Sequence, residues 1–131
     1  MINKERANHG LSSLQTNFTL ISLAEEHSKE MIDYDYFSHD RMPGSSPFDW
    51  GLEPGFGRGE NIFMMPERLV IPGPLLTLNQ LANKIVQGWM DSPGHRQNIL
   101  EAYFSYTGIG IAKKVGITTS LKCLKDDGKN K

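Results

Sequence analysis

The sequence predicts one domain that contains both helices and strands. Its 131 residues are the usual length of a single compact domain with its own core. Helical periodicity and capping residues occur in both halves of the chain, whereas residues 107–112 alternate small and β-branched residues as strands do. No internal repeat divides the chain into smaller units.

The N-terminal segment is predicted to form two helices. The first is short and ends near Gly10. The second begins at a capping residue, either Asn17 or Thr19. Its apolar face repeats at helical spacing and consists of Leu20, Leu23, Ala24, His27 and Met31.

Capping residues indicate two more helices in the second half of the chain. Thr77 and Gln80 form a capping box at the start of the first. Ser92 followed by Pro93 is typical of an N-cap and the first helical position. The helix that they begin is expected to continue to about Tyr103.

Two strands and a long loop complete the predicted elements. Residues 41–58 are rich in Gly, Pro and Ser and read as a loop, with a short helix beginning at Ser46 and Pro47. Residues 59–65 are expected to form a strand or an extended turn. In the strand at residues 107–112, Gly108 and Gly110 indicate that another element packs closely against its backbone.

Composition excludes several classes of protein. A net charge of −1, from 14 Lys and Arg against 15 Asp and Glu, argues against a nucleic-acid-binding protein. Cys123 is the single cysteine, so we expect neither an intramolecular disulfide nor a Cys-rich zinc site. The most apolar stretch, residues 69–78, contains Pro72 and Pro74 and is too short to cross a bilayer.

The first residues are polar and do not form a signal peptide. We therefore expect either an intracellular protein or a sequence that starts after its export signal.

Common catalytic motifs are also missing. The glycines at 55, 57 and 59 do not have dinucleotide-binding spacing, and no zinc-protease, nucleophile-elbow or phosphate-loop motif is present.

Histidine and glutamate side chains are the remaining candidates for chemistry. His39 lies in a loop between Ser38 and Asp40, and Asp40 is expected either to orient it or to cap the segment that follows. His95 lies in the first turn of a helix, whose positive end favours a neutral imidazole that is a ligand or base, or that merely packs there. His27 lies on an apolar face and is expected to be a core histidine that bonds to a neighbour.

Glu60 lies between a glycine-rich loop and an apolar strand, where a solvated surface charge is unexpected. A buried glutamate needs a partner, and a histidine is a suitable one. If His39, Glu60 and His95 converge, two imidazoles and a carboxylate are suited to a divalent transition metal with open positions, zinc first.

Several motifs occur in the order of one known family. They are Tyr36-Phe37-Ser38-His39-Asp40, Gly59-Glu60-Asn61-Ile62, the run from Gly88 through Ser92-Pro93-Gly94-His95 to Leu100, and Gly108-Ile109-Gly110. Over residues 1–114 the chain resembles the prokaryotic branch of the CAP superfamily, the SCP-like extracellular domains. That superfamily contains cysteine-rich secretory proteins, antigen 5 and pathogenesis-related proteins.

The resemblance implies an α+β fold, a three-layer α-β-α sandwich with a central antiparallel sheet. It also implies a His/Glu cleft, in which His39 and His95 bind zinc or another divalent cation and Glu60 orients them or acts as a catalytic base. Asp40, Asp91 and Ser92 are expected beside these residues. The second glutamate of eukaryotic members falls near Ser92, where this chain has no carboxylate and only the adjacent Asp91.

For function, the resemblance implies a monomeric domain in the extracellular space or cell envelope. Its expected partners are an envelope lipid, a peptide or another small ligand. Three roles remain open: a non-catalytic binding module, a metal-dependent hydrolase, and a structural role in which the histidines only support the cleft.

The C-terminal segment, residues 115–131, departs from the family pattern, which closes with a strand of aromatic-x-Thr-Gln-x-Phe type. We expect residues 117–124 to form a strand nonetheless, because alternate residues fall on one face. A frameshift or altered terminus is our hypothesis for this segment, which would then be a replaced last strand and a polar tail. Translating the other reading frames of the gene tests it, since finding no family-like strand there would refute it.

Overall fold

A computed structural model describes residues 1–41, 57–66, 77–114 and 118–126 of the chain. The short helix predicted at Ser46 and Pro47 lies outside these residues. The described elements, in chain order, are α1 (Ile2–Asn8), β1 (Gln15–Thr16), α2 (Phe18–Asp33), β2 (Arg58–Pro66), α3 (Leu78–Met90), α4 (Pro93–Ile99), β3 (Tyr106–Lys114) and β4 (Thr118–Asp126).

Side-chain caps start two of the helices where the sequence predicts them. Asn17, rather than Thr19, caps α2, because its Oδ1 accepts the Leu20 N–H at 3.1 Å. The capping box of α3 is complete. Thr77 Oγ1 accepts the Gln80 N–H at 3.2 Å, and Gln80 Oε1 accepts the Thr77 N–H at 2.8 Å.

The helix α4 begins where the sequence predicts but ends earlier. Ser92 is the N-cap and Pro93 the first helical residue, as predicted, although the Ser92 side chain makes no capping bond. The Ser92 backbone oxygen accepts the Arg96 N–H at 2.8 Å, the first hydrogen bond of the helix. The predicted end at Tyr103 is wrong, since the helix ends at Ile99. The reason is that the backbone oxygens of Ile99 and Glu101 accept hydrogen bonds from Arg6, a residue of α1.

The described strands form one sheet in the order β1-β3-β4-β2. Strand β4 pairs antiparallel with both β2 and β3, as expected for this fold. The prediction of an antiparallel sheet is wrong for β1, which runs parallel to β3. The two-residue β1 follows the edge of β3, with Gln15 N–H donating to Ser105 O at 2.8 Å and Asn17 N–H to Thr107 O at 2.9 Å.

A strand is present in the C-terminal segment, as predicted. Strand β4 lies between β2 and β3 and pairs with each over nine residues, Thr118–Asp126. The segment that departs from the family pattern therefore occupies a central position in the sheet. That β4 replaces the last strand of the family pattern stays a prediction.

The helix α2 packs directly on one face of β3. A Cβ atom added at Gly108 would lie 2.2 Å from the Ile21 nitrogen, and one added at Gly110 would lie 2.1 Å from the Glu25 nitrogen. The close approach predicted from these two glycines is therefore confirmed. The buried Ser28 hydroxyl adds a hydrogen bond of 3.2 Å to the Gly110 carbonyl.

The opposite face of β3 is largely exposed, since Ile109 and Ile111 there are 42% and 62% exposed. A cavity of about 460 Å³ separates Ile109 and Ile111 of that face from Ile2, Val86 and Trp89 of α1 and α3. The Trp89 indole N–H donates to the Ile62 carbonyl at 3.1 Å and joins α3 to β2. The helix α2 thus packs on one face of the sheet, whereas α1 and α3 border an open cavity on the other side of β3. None of the helices described is both long and apolar enough to span a membrane.

Candidate functional site

A buried carboxylate on β2 forms the centre of the site. The Glu60 side chain is 2% exposed. One of its oxygens, Oε1, lies 2.6 Å from His39 Nδ1, and the other, Oε2, lies 3.4 Å from His27 Nδ1. The histidine partner expected for this glutamate is present, and a second histidine joins it.

His27 is a core residue, as expected, and its polar neighbour is Glu60. The His27 residue is 0% exposed, and its ring centroid lies 6.0 Å from that of Tyr36. Helical periodicity places His27 on the buried face of α2 but does not indicate that it contacts the site. The sequence does predict that His27 and Glu60 are both buried, and a buried polar residue needs a hydrogen-bond partner.

Burial lowers the pKa of the His27 imidazole from its usual 6.5 to about 4. The opposing effect of the Glu30 carboxylate does not reverse this, and the positive Arg41 adds to the lowering. His27 is therefore neutral at pH 7. Because an ionised carboxylate only accepts hydrogen bonds, the single N–H of this ring is assigned to Nδ1, which faces Glu60.

The lowered pKa of His27 predicts a loss of stability in mild acid. The unfolded chain binds a proton near pH 6.5 and the folded chain only near pH 4, so the stability present above pH 6.5 is lost as the pH falls towards 4. The slope is about 1.4 kcal/mol per pH unit, or about 3 kcal/mol in all. Urea unfolding of the wild type and of His27→Asn between pH 4 and 7 should show a shallower slope in the variant.

Equal slopes for the two proteins would contradict this prediction. They would mean that His27 takes up its proton at the same pH in the folded and the unfolded chain, so that burial does not lower its pKa. His9→Asn is the matched control, because His9 is exposed. Its Nδ1 lies 2.8 Å from the Glu5 backbone oxygen and its Nε2 lies 3.2 Å from Nη2 of the exposed Arg96, both away from Glu60. This variant should keep the wild-type slope.

His39 follows α2 and holds one ring nitrogen against the protein. Its side chain is 52% exposed. Since Nδ1 donates to Glu60, Nε2 carries the lone pair of the neutral ring. Glu60, not Asp40, is the carboxylate that orients this histidine. Asp40 is exposed, and its backbone N–H donates to Ser38 Oγ at 3.1 Å.

His95 lies half-buried in the first turn of α4. Burial lowers the pKa of its imidazole, and the charge of the protonated His39 ring would lower it further. The His95 ring is therefore neutral at pH 7. The described contacts bring His39 and Glu60 together, and they place the His95 backbone beside Asn61, the residue after Glu60. That the His95 ring converges on the same site stays a prediction.

Two asparagines join the strand of Glu60 to the helix of His95. The buried Asn61 donates through Nδ2 to the His95 carbonyl at 3.0 Å. Asn98 Nδ2 donates to Asn61 Oδ1 at 2.9 Å and to the Glu60 carbonyl at 3.2 Å. The sequence analysis assigns no role to either asparagine. Burial of the polar Asn61 amide is what indicates that it has hydrogen-bond partners.

Asp91 and Ser92, expected beside the site, lie at the junction of α3 and α4. Asp91 is exposed, and its carboxylate accepts a hydrogen bond of 2.9 Å from Gln87 Nε2. Ser92 is half-buried at the N-cap. Among the residues described, no group of three or more His, Cys, Asp or Glu is arranged to hold a metal ion. The assignment of His39 and His95 as metal ligands stays a prediction from the family resemblance.

Comparisons with known proteins agree with this fold. A family model described as CAP, the cysteine-rich secretory protein family, matches residues 1–118. The chain is 33% identical over 122 residues to "Uncharacterized protein YkwD" and 30% identical over 118 residues to "Uncharacterized membrane protein YlbC", both from Bacillus subtilis (strain 168). These matches cover 91% and 87% of the chain, which spans 42% and 30% of the two relatives.

Solved structures of bacterial proteins share the fold. An outer surface protein from Borrelia burgdorferi has a TM-score of 0.71 and 18% identity, with 96% of this chain and 86% of that chain covered. An extracellular protein containing a SCP domain from Bacillus anthracis str. Ames has a TM-score of 0.64 and 26% identity, with coverage of 93% and 37%. The resemblance read from the sequence motifs is confirmed, and the chain belongs to the cysteine-rich secretory protein (CAP) family.

Proposed function

We propose that this CAP domain binds a divalent metal ion, zinc first, through Nε2 of His39 and a ring nitrogen of His95. One observation carries the proposal: the 2.6 Å contact between His39 Nδ1 and the buried Glu60. Metal-binding histidines typically donate their other ring N–H to a carboxylate, which fixes the tautomer and the ring orientation. His39 has this arrangement with Glu60.

The chemistry of the donors fits such an ion. A histidine must be neutral to bind a metal ion. The lowered pKa of His95 keeps its ring neutral at pH 7. With two protein ligands among the described residues, the other coordination positions belong to water or to a bound molecule. A divalent ion in such a site acts as a Lewis acid and lowers the pKa of coordinated water.

Glu60 is proposed as the orienting partner of the histidines rather than as a catalytic base. Both of its oxygens contact imidazoles, at 2.6 and 3.4 Å, and its side chain is 2% exposed. A hydrolase that uses Glu60 as its base is the alternative role. Turnover of casein or cell-wall peptides that is lost in Glu60→Gln would favour that alternative.

Non-catalytic binding of an envelope lipid or peptide is the second candidate function. The cavity of about 460 Å³ favours it, because its wall includes the apolar residues Ile109, Ile111 and Trp89. An extracellular or cell-envelope location is proposed for both functions. The outer surface and extracellular proteins that share the fold support this location. We propose that the domain acts as a monomer.

Zinc titration by calorimetry tests the metal site. We expect the wild type to bind zinc and His39→Ala and His95→Ala each to bind it at least about tenfold more weakly, because each variant loses a ligand. Glu60→Gln should weaken binding by about 10- to 100-fold through loss of the orienting carboxylate. His9→Ala should bind like the wild type, since this histidine is exposed at the C-cap of α1.

Equal zinc affinity in the wild type and in the His39 and His95 variants would refute the proposed site. Circular dichroism of each variant checks that the fold is retained. Lipid that co-purifies with protein unable to bind zinc would favour the second candidate function instead.

A further inference from the structure

The segment that carries His39 folds back along α2. After α2 ends at Asp33, Asp35 adopts a positive φ of 53°, and the Tyr36 N–H donates to the Met31 carbonyl at 3.0 Å. This left-handed turn reverses the chain direction. Residues 36–41 therefore lie beside the C-terminal half of the helix, and His39 lies in the middle of that segment.

One carboxylate on α2 contacts the segment on both sides of His39. Glu30 Oε1 accepts the Tyr36 hydroxyl at 2.6 Å. Glu30 Oε2 accepts two guanidinium hydrogen bonds from Arg41, at 3.1 and 2.9 Å. Three residues before His39 and two residues after it, the chain is thus held by the same side chain.

Burial makes these contacts more than a surface ion pair. The Glu30 side chain is 12% exposed and that of Arg41 is 22% exposed, whereas the Lys29–Asp33 pair on the same helix is 72% and 48% exposed. Charged hydrogen bonds shielded from water are stronger and better ordered than exposed pairs. Arg41 Nη1 also lies 3.5 Å from Glu26 Oε2, one helical turn before Glu30.

We infer that Glu30 is a positioning residue, which holds the His39 ring over Glu60 through Tyr36 and Arg41. The need for such a residue follows from the exposure of His39, whose side chain is 52% exposed and has little packing to fix it. His27, one turn before Glu30 on α2, contacts the other oxygen of Glu60. The helix therefore positions both partners of the His39–Glu60 hydrogen bond.

This inference deepens the proposed metal function and rests on it for what His39 Nε2 binds, but the positioning itself is measurable without metal. Nitrogen-15 NMR of metal-free protein reports the tautomer of His39. We expect the Nδ1–H tautomer to dominate in the wild type and to fall towards an even mixture in Glu30→Ala. Tyr36→Phe and Arg41→Gln each remove one contact and should give intermediate ratios.

The matched control is Asp33→Asn, which removes the exposed Lys29–Asp33 pair from the same helix and should leave the tautomer unchanged. A merely structural role for Glu30 would lower the stability of Glu30→Ala without changing the His39 tautomer. That result in folded variants would overturn the inference. Restoration of the wild-type tautomer ratio in Glu30→Asp, relative to Glu30→Ala, would support it.

Zinc titration of the same variants separates the two proposals. If the wild type binds zinc, Glu30→Ala should bind it about tenfold more weakly, as expected when support of a ligand is lost. If the wild type binds no zinc but its tautomer responds to Glu30→Ala, the metal function is refuted and the positioning role stands. If zinc binds with equal affinity and tautomer ratio in both proteins, the positioning role is refuted and the metal function stands.

Discussion

Gly110→Ala is expected to destabilise the domain by about 3 kcal/mol or more, because the added methyl group has no space between β3 and α2. Its Cβ would lie 2.1 Å from the Glu25 nitrogen and 2.2 Å from the Ala24 carbonyl carbon. These are backbone atoms in the middle of a helix, so no side-chain rotation relieves the contact. The whole of α2 must move away from the sheet.

Movement of α2 also affects the candidate site. His27 and Glu30 both lie on this helix, and the 3.4 Å contact of His27 with Glu60 does not survive a displacement of an ångström or more. We therefore expect Gly110→Ala to lose stability in urea unfolding and also to change the tautomer ratio of His39. Gly108→Ala should behave similarly, since its Cβ would lie 2.2 Å from the Ile21 nitrogen.

Gly88→Ala is the matched control for this prediction. Gly88 is an exposed residue of α3, and a Cβ atom there would meet nothing within 4 Å. Alanine in a helix is more stable than glycine by about 0.5 to 1 kcal/mol, so this variant should be slightly more stable than the wild type. A Gly110→Ala domain as stable as the wild type would show that α2 does not pack on β3 as described.

Elements with local signals are those that the sequence predicts well. The start of α2 at Asn17 and the capping box at Thr77 depend on residues within one helical turn, which sequence patterns contain. The end of α4 depends on Arg6, which is 93 residues away from Ile99. The parallel pairing of β1 likewise depends on a distant strand, β3. Because β1 has only two residues, it is too short to show the alternation by which a strand is predicted.

The same distinction applies to the candidate site. His39, Glu60 and His95 are identified from their places in a loop, before a strand and in the first turn of a helix, and the family resemblance assigns them to one cleft. The contact between His27 and Glu60 joins residues 33 positions apart, so periodicity explains only why each is buried. The asparagine contacts between β2 and α4 span 34 to 38 positions, so sequence periodicity does not predict them either. Buried polar residues thus indicate that partners exist without identifying them.

Arg6→Met is expected to destabilise the domain by about 4 kcal/mol, the effect of leaving several buried polar groups unpaired. Arg6 is 0% exposed. Its guanidinium donates to the Ser12, Ile99 and Glu101 carbonyls at 2.8 to 2.9 Å and to the Phe104 carbonyl at 3.3 Å. Methionine fills similar space but donates nothing, so these carbonyls lose their donor.

Two variants show whether the guanidinium bonds cause this loss. Arg6→Lys keeps the charge but not the planar fork of donors, so its stability in urea unfolding should lie between those of Arg6→Met and the wild type. Arg96→Met, at an exposed position on α4, should change the stability by less than about 0.5 kcal/mol. If Arg6→Met were as stable as Arg96→Met, water would have to replace Arg6 as the donor to the Ile99, Glu101 and Phe104 carbonyls. The end of α4 would then be set by solvent rather than by the contact with α1.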